Sequence, residues 1–272
     1  METAVNDGQM DLLLTDLLDL YGYDFTAYTK ASLKRRINRL YTLDHFPSFA
    51  EFRYKLRSDG SYFNRFIEQV TVNVTEMFRD PHFYRAIKDE ILPVLATYPF
   101  IRIWHAGCST GEEVYSMAIF LKEANLLHKS ILYATDINPE VVTKAAGGIF
   151  SMRHMKEYSD NYLQSGGREE FSRYYTANYD SVLFSEELKK RMVFSTHNLV
   201  SESSFNQFQL ILCRNVLIYF EKELQGRVFG LFDESLDKLG YLALGSKETL
   251  KMAPIMSRYQ QTGKEKIWRK MH

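Results

Sequence analysis

The sequence contains few cysteines and no long apolar run. Only two cysteines, Cys108 and Cys213, occur among its 272 residues. Two thiols so far apart cannot supply a disulfide framework or a paired zinc motif, so we expect both to be free and we expect no metal site. No stretch approaches the roughly 18 apolar residues that a membrane-spanning helix needs. The sequence therefore predicts a protein that does not cross a membrane.

An excess of charge of either sign is also absent. The chain has 34 lysines and arginines against 34 aspartates and glutamates, so its formal net charge is zero. The chain as a whole would attract neither nucleic acid nor acidic lipid, so a polyanion would have to bind at a local patch of positive charge. The first residues, METAVNDGQMDLLL, carry acids where a secretory signal would have a basic start. We expect a cytoplasmic protein and, since no coiled-coil heptads are visible, a monomer.

Helical periodicity dominates the chain up to residue 72. Tyr28, Leu33, Ile37 and Leu40, for example, lie three to five residues apart and predict one helix over residues 25–43. We expect a small bundle of helices in this part of the chain.

Serines open two of the later helical patterns. Ser48 precedes FAEFRYKLR and Ser61 begins SYFNRFIEQV, and both are predicted to cap a helix N-terminus. The predicted organisation is an all-helical domain over 1–72 and an interdomain segment with a helix over 73–99. An α/β domain follows over 100–272.

Strands and helices alternate within that α/β domain. The predicted strands are FIRIWHA, SILYATD, RMVFSTHN, FQLILCRN and YLALGS, and the predicted helices are EEVYSMAIFLKEANLL, PEVVTKAAGG and EKELQGRVFGLFDESLDKLG. Such repeated βαβ units predict a doubly wound, mostly parallel, Rossmann-like sheet with a ligand crevice at the carboxyl ends of its strands. Residues 150–188 break the rhythm, and we interpret them as an inserted subdomain with some helix and room for a short hairpin.

The stretch HAGCSTGEE, residues 105–113, joins the first strand to a helix through a glycine-rich turn. Such a turn, with Gly107 at its start, lets the backbone approach a ligand closely. Neither GxxxxGK[ST] nor GxGxxG is present, and no lysine is placed to neutralise a phosphate. Glu112 and Glu113 would repel a pyrophosphate and favour a cationic or hydroxyl-rich ligand. Glu112 could instead do no more than complement the helix dipole.

Asp136 ends the second predicted strand, in YATDINPE. An acid at this point of a doubly wound sheet can accept hydrogen bonds from both hydroxyls of a ribose. The alternative is an N-cap for the helix that follows. A ribose-binding acid beside an acidic glycine loop without phosphate signals suggests a nucleoside ligand. S-adenosylmethionine fits, because its sulfonium and amino groups are cations.

Five motifs in order resemble the chemotaxis-receptor glutamate methyltransferases, the CheR-type family, over nearly the whole chain. They are TVNVTEMFRDPHFY (71–84), CSTGEEVYSMA (108–118), ATDINPEVV (134–142), HNL (197–199) and CRNVLIYFEKELQ (213–225). The resemblance implies a helical domain followed by a methyltransferase domain that a small β-subdomain interrupts. It also implies S-adenosylmethionine as cofactor and S-adenosylhomocysteine as product.

The resemblance further implies which residues bind the cofactor. Beside Gly107, the implied set comprises Asn73, Thr75, Arg79, Glu113, Asp136, Asn198, Leu199, Asn215 and Val216. Glu113 and Asp136 would hold the methionine-to-ribose portion, and Asn198 and Leu199 would lie near the adenine. From the residues alone, Arg79 could instead form a surface ion pair with Asp80 or Glu76.

The resemblance implies that Arg79 and Tyr219 border the transferred methyl group. A glutamate carboxylate, with a reference pKa of about 4.3, is already ionised at neutral pH and needs no general base. The enzyme must align the carboxylate with the methyl group and exclude water. We assign Arg79 to orienting the carboxylate and Tyr219 to hydrogen bonding it. Tyr219 could alternatively be a packing residue with its hydroxyl satisfied.

A basic helix is the candidate substrate-binding element. KASLKRRINRL carries Lys30, Lys34, Arg35, Arg36 and Arg39. The resemblance implies that this helix contacts the acidic, helical methylation region of a receptor, although a basic helix is often only a solvated face.

The sequence departs from the family's pattern in two places, and it also leaves two other functions possible. The turn expected to read GHSE is GSKE, and the region after Gly147 matches poorly the subdomain that in some members binds a pentapeptide at the receptor's C-terminus. The alternatives are methylation of another protein or a small acid, and a non-catalytic adaptor that senses S-adenosylmethionine.

Overall fold

The computed structural model describes residues 4–71 and 74–272. Its first elements are four helices: α1 (Asp7–Tyr21), α2 (Lys30–Leu43), α3 (Phe49–Ser58) and α4 (Gly60–Val70). Their apolar faces form one core, in which Leu13, Ile37, Phe52 and Phe66 are completely buried. The predicted helical bundle is therefore confirmed.

The start of α2 differs from the prediction. Tyr28 precedes the helix and forms an isolated antiparallel bridge with Phe220, far along the chain. Tyr28 has the right spacing for a helix, but its neighbours Ala27 and Thr29 form backbone hydrogen bonds with Glu221 and Tyr219, in the other half of the protein. A long-range pairing of this kind overrides local periodicity.

One of the two predicted serine caps is present. The Ser48 side chain accepts a hydrogen bond from the Glu51 N–H and caps α3, as predicted. The prediction for Ser61 was wrong, because the Asp59 carboxylate accepts from the Ser61 and Tyr62 N–H groups and caps α4. The Asp59 carboxylate accepts two backbone N–H groups, whereas a serine hydroxyl acting as a cap accepts one.

The segment from residue 74 to residue 99 joins the bundle to the sheet. It contains α5 (Pro81–Ala86) and α6 (Leu92–Leu95), which are linked by a π-helical turn over Ile87–Ile91. Met77 and Phe78, just before α5, are fully buried. The Phe78 N–H donates to the Ser116 hydroxyl at 3.0 Å, so the segment is tied to the first helix of the α/β domain.

A seven-stranded sheet forms the centre of the α/β domain. Its strands are β1 (Ile101–Ala106), β2 (Ser130–Asp136), β6 (Met192–Thr196), β7 (Phe208–Cys213), β8 (Leu236–Leu244), β9 (Tyr259–Gln261) and β10 (Ile267–Lys270). They lie in the order β6-β2-β1-β7-β8-β10-β9; β10 is antiparallel to both of its neighbours, β8 and β9, and the other pairs are parallel. The predicted doubly wound, mostly parallel sheet is confirmed.

Three helices flank this sheet: α7 (Glu112–Glu123), α8 (Pro139–Gly147) and α11 (Lys222–Ser235). The residues of β1 alternate between two cores, so Ile103 packs on one face of the sheet and Trp104 on the other. Both cysteines are free, as predicted, and both are buried.

The predicted helix over residues 221–240 extended too far. Leu236 belongs to β8 and pairs with Phe208, while Leu239 adopts a positive φ of 64° that no α-helix tolerates. The strands β9 and β10 were not predicted. Both strands are short. β10 pairs with β8 and with β9, so their conformation depends on pairing between strands and not on a local pattern.

The insertion consists of a second, antiparallel sheet and helices. Its strands are β3 (Ile149–Ser151), β4 (Tyr175–Asn178) and β5 (Ser181–Phe184), in the order β3-β5-β4, and its helices are α9 (Met155–Gln164) and α10 (Glu186–Lys189). The expected helix and hairpin are both present, and β3 adds a third strand. Phe150 and Phe184 pack against Tyr115 of α7, so the subdomain lies on the main domain.

Among the described helices, none is both long enough and apolar enough to cross a membrane.

Candidate active site

A large cavity opens where β1, β2 and β7 end. The sheet order reverses between β1 and β7, which is where a doubly wound sheet forms its ligand crevice. The space inside, measured out to the open mouth, is about 990 Å³.

Most of the predicted site residues line this cavity. They are Thr75, Arg79, Gly107, Glu113, Asp136, Asn198, Leu199, Asn215, Val216 and Tyr219. Asn73, the remaining predicted cofactor residue, lies outside the described residues. The structure also places Tyr28, Arg36 and Val70 from the helical bundle in the cavity wall. The roles of the individual predicted residues stay predictions.

The glycine-rich turn lies tightly against the loop after β7. Gly107 has a φ of +82°, and a Cβ atom there would come within 2.4 Å of Val216. Only glycine fits both the backbone conformation and the space. The N–H groups of Gly107 and Cys108 both donate to the Thr135 carbonyl, at 2.8 and 2.9 Å, which ties the turn to the end of β2.

The carboxylate of Asp136 supports the same turn from the end of β2. One oxygen accepts from the Ser109 N–H at 2.9 Å and the other from the Asn138 N–H at 3.0 Å. The α8 cap is Asn138, whose side chain accepts from the Glu140 N–H, so Asp136 is not the N-cap. Burial raises the pKa of Asp136. Each oxygen keeps a lone pair that can accept from a ribose hydroxyl.

Glu113, the second residue of α7, lies in a buried network of charges. Its oxygens contact His105 Nδ1 at 2.9 Å and Arg214 Nη1 at 3.2 Å. Burial alone would raise the pKa of Glu113, but the His105 hydrogen bond and the Arg214 charge hold it below its ordinary value. Glu113 is therefore an anion that faces the cavity.

Arg214 is a site residue that the sequence did not reveal. Its side chain is 3% exposed, and Nη2 contacts the Asp80 carboxylate at 2.7 Å and the Arg79 carbonyl at 3.0 Å. The guanidinium carbon lies 4.0 Å from the centroid of the Phe83 ring. Arg214 thus connects the segment that carries Arg79 to the end of β7 and to Glu113.

Glu248 is the second residue that was missed. Its carboxylate accepts from four backbone N–H groups, those of Gly245, Asn215, Val216 and Leu217, at 2.6 to 3.0 Å. It shapes the loop after β7 that forms the cavity floor. The departure from GHSE falls on the exposed Ser246 and Lys247, whereas the glutamate is retained. Because Glu248 occupies the position of the glutamate in GHSE, the sequence GSKE could have identified it as a site residue.

Arg79 and Tyr219 both lie in the cavity wall. Arg79 Nη1 donates to the Val74 carbonyl at 3.3 Å. Among the described residues Arg79 forms no ion pair within 4 Å, because Asp80 pairs with Arg214 instead. Burial raises the pKa of Tyr219, so its phenol is a neutral hydrogen-bond donor at physiological pH.

The basic side chains of α2 do not share one surface. Arg36 lies in the cavity wall, and its predicted contact with a substrate protein stays a prediction. Lys34 pairs with Asp7 at 2.6 Å and Lys30 with Asp11 at 3.4 Å. Arg35 and Arg39 are exposed, and neither forms an ion pair with a described residue. Their charges remain available to a partner.

Glu112 points away from the cavity, in contrast to its neighbour. It accepts from the Thr110 hydroxyl at 2.6 Å and is 7% exposed. Burial raises its pKa to about 7. Glu112 is therefore partly protonated near neutral pH and is not the ligand-facing acid of the pair.

The stability of the fold is expected to depend on pH through Glu112. Between its ordinary pKa of 4.5 and its folded-state value of about 7, the folded chain keeps a proton that the unfolded chain releases. The free energy of unfolding therefore falls as the pH rises through this window, by about 3 kcal/mol at most, and the loss is complete above it. Urea unfolding from about pH 5 to 8 should show that Glu112→Gln removes this decline. The exposed Glu170→Gln is the control, and parallel profiles for wild type and Glu112→Gln would contradict the prediction.

The described residues contain no group of three or more His, Cys, Asp or Glu side chains placed to hold a metal ion.

Two family models match the chain. One, described as "CheR methyltransferase, all-alpha domain", matches residues 9–71, and the other, "CheR methyltransferase, SAM binding domain", matches residues 73–266. The boundary between the two matches falls in the segment between the helical bundle and the sheet.

Curated relatives extend over most of the chain. The "Putative methyltransferase Cher3" of Pseudomonas putida is 44% identical over 267 residues, which cover 97% of each protein. A chemotaxis protein methyltransferase of Listeria innocua is 32% identical and covers 84% of this chain and 85% of its own. Another from Salmonella typhimurium is 32% identical and covers 79% of this chain and 73% of its own.

Proposed function

The chain belongs to the CheR methyltransferase family, with S-adenosylmethionine as its cofactor, and we propose that it forms methyl esters on glutamate side chains of a chemoreceptor. The observation that carries this proposal is the placement of Arg79 and Tyr219 in one cavity wall with the cofactor-type acids Glu113 and Asp136. An orienting cation and a neutral phenol suit a carboxylate acceptor.

The cavity suits S-adenosylmethionine in charge and shape. Asp136 would accept from the ribose hydroxyls and the anionic Glu113 would face the amino group, while Asn198 and Leu199 would lie beside the adenine. When bound, the cofactor supplies an electrophilic methyl group on a positively charged sulfur. The two carboxylates compensate a cationic ligand and would disfavour a phosphorylated one.

The acceptor carboxylate needs alignment more than activation. It is ionised at neutral pH, so no proton has to be removed before its oxygen attacks. Arg79 would orient it through paired N–H donors, and Tyr219 would donate its O–H to the oxygen that does not react. Because a strong ion pair would weaken the attacking oxygen, the exposure of Arg79 to the open cavity favours orientation over tight binding.

A receptor is favoured over a small acid by the exposed cations of α2. Arg35 and Arg39 lie one helical turn apart on the same face, and no described acid neutralises them. An acidic helical segment from the cytoplasmic part of a receptor would meet both. In this proposal the enzyme acts in the cytoplasm, as a monomer.

Reversing the two exposed charges separates receptor methylation from small-acid methylation. Arg35→Glu with Arg39→Glu should raise the KM for the receptor by about tenfold or more at low salt, since two attractions become repulsions. The control is Lys238→Glu with Lys264→Glu, an equal charge change on exposed lysines elsewhere. Receptor methylation that is equally fast in both variants would exclude docking through α2. Cofactor binding without transfer to any acceptor would support the sensing adaptor.

A further inference from the structure

The N-terminal part of the chain pairs directly with the segment that carries Tyr219. The Thr29 N–H donates to the Tyr219 carbonyl at 2.9 Å, and the Glu221 N–H donates to the Ala27 carbonyl at 3.0 Å. Between these bonds the rings of Tyr28 and Phe220 pack edge to face, with centroids 4.8 Å apart. The linker before α2, residues 27–29, therefore fixes the backbone on both sides of Phe220.

Arg36 contacts the side chain of Tyr219, whose backbone this linker holds. The guanidinium carbon of Arg36 lies 5.1 Å from the centroid of the Tyr219 ring, within the range of a cation–π contact. Arg36 is itself held in place, because Nη1 donates to the Val70 carbonyl at 2.6 Å and Nη2 to the Ser32 hydroxyl at 2.9 Å. A planar cation with two fixed N–H groups has little freedom to leave the ring.

The geometry of α2 distinguishes Arg36 from the exposed arginines. Ser32 and Arg36 are four residues apart and lie on the face of the helix that points to the cavity. Arg35, one residue earlier, is turned by about 100° and is exposed. Of the three arginines of α2, Arg35 and Arg39 are thus exposed to solvent, and Arg36 faces the ring of Tyr219.

We propose that Arg36 is a positioning residue for Tyr219, so that the helical bundle completes the active site as well as recognising the acceptor. This inference rests on the proposed function, since it assigns Arg36 to the rate of methyl transfer and Arg35 to receptor affinity. A receptor segment on the exposed face of α2 would lie against the helix that holds the phenol in place.

Steady-state kinetics on purified receptor membranes test this assignment. Arg36→Met should lower kcat by about tenfold with little change in the KM for the receptor, because the phenol loses its fixed orientation. Arg35→Met should raise KM and leave kcat nearly unchanged. In a Tyr219→Phe background Arg36→Met should have less than a twofold further effect, since the hydroxyl that Arg36 positions is gone. A rise in KM alone, or multiplicative effects in the double variant, would overturn the proposal.

A spectroscopic measurement tests the contact independently of turnover. With 3-fluorotyrosine incorporated, the ¹⁹F resonance of residue 219 is identified as the signal that Tyr219→Phe removes. Arg36→Met should shift or broaden this resonance, and Arg35→Met should leave it in place. An unmoved resonance in Arg36→Met would overturn the proposal even if the enzyme methylates a receptor. If wild type methylates no receptor but the resonance moves, the proposed function fails and the contact stands.

Discussion

Replacing Arg79 with alanine is expected to lower kcat for receptor methylation by about a hundredfold or more, because the acceptor carboxylate loses the cation that aligns it. The dissociation constant for S-adenosylmethionine should rise by less than about tenfold, since Glu113 and Asp136 remain in place. Initial rates at saturating cofactor and receptor, with calorimetric titration of the cofactor, separate the two effects.

Two further variants make this expectation specific. Arg79→Lys keeps the charge but loses the paired donors, so an intermediate loss of about tenfold is expected. Arg85→Ala, an exposed arginine of α5 outside the cavity, should leave kcat unchanged. A kcat for Arg79→Ala within about twofold of wild type would exclude Arg79 from orienting the acceptor.

Replacing Arg214 with methionine is expected to lower the free energy of unfolding by about 3–5 kcal/mol, since the partners of a buried ion pair are left uncompensated. Glu113 would remain largely buried with only His105 as a partner, and Asp80 would lose its contact. Urea unfolding monitored by circular dichroism measures the loss.

A second substitution distinguishes the charge effect from lost packing. Arg214→Met combined with Glu113→Gln should recover a substantial part of the stability, because the buried carboxylate is no longer charged. Equal stabilities of the single and double variants would assign the loss to the packing of Arg214 on Phe83 instead. A loss below about 1 kcal/mol in the single variant would contradict the importance of the network.

The sequence predicted the location of those site residues whose place follows from the order of strands and helices. Glu113 and Asp136 follow strands that a doubly wound sheet places side by side, so strand ends alone bring them together. The glycine turn was recognisable for the same reason. These positions depend on local pattern and on the order of βαβ units.

Arg214, Glu248 and Arg36 could not be placed by the same reasoning. Arg214 and Glu248 act through contacts with residues distant in sequence, such as Asp80 and the N–H groups of the loop after β7. Arg36 was grouped with its basic neighbours, and only its contacts with the Tyr219 ring and the Val70 carbonyl set it apart from them. Similarly, Leu236 continued a helical pattern but lies in β8, because strand pairing decided its conformation.

The most direct measurement is incubation of the purified protein with methyl-labelled S-adenosylmethionine and membranes from the source cells, in parallel with Arg79→Ala. Glutamate methyl esters are cleaved by mild base, whereas methylated amines are not. We expect label on a membrane protein that mild base releases as methanol, and we expect it to be lost in the variant. A protein that binds the cofactor but transfers no base-labile label to any membrane or soluble fraction would contradict the proposed function.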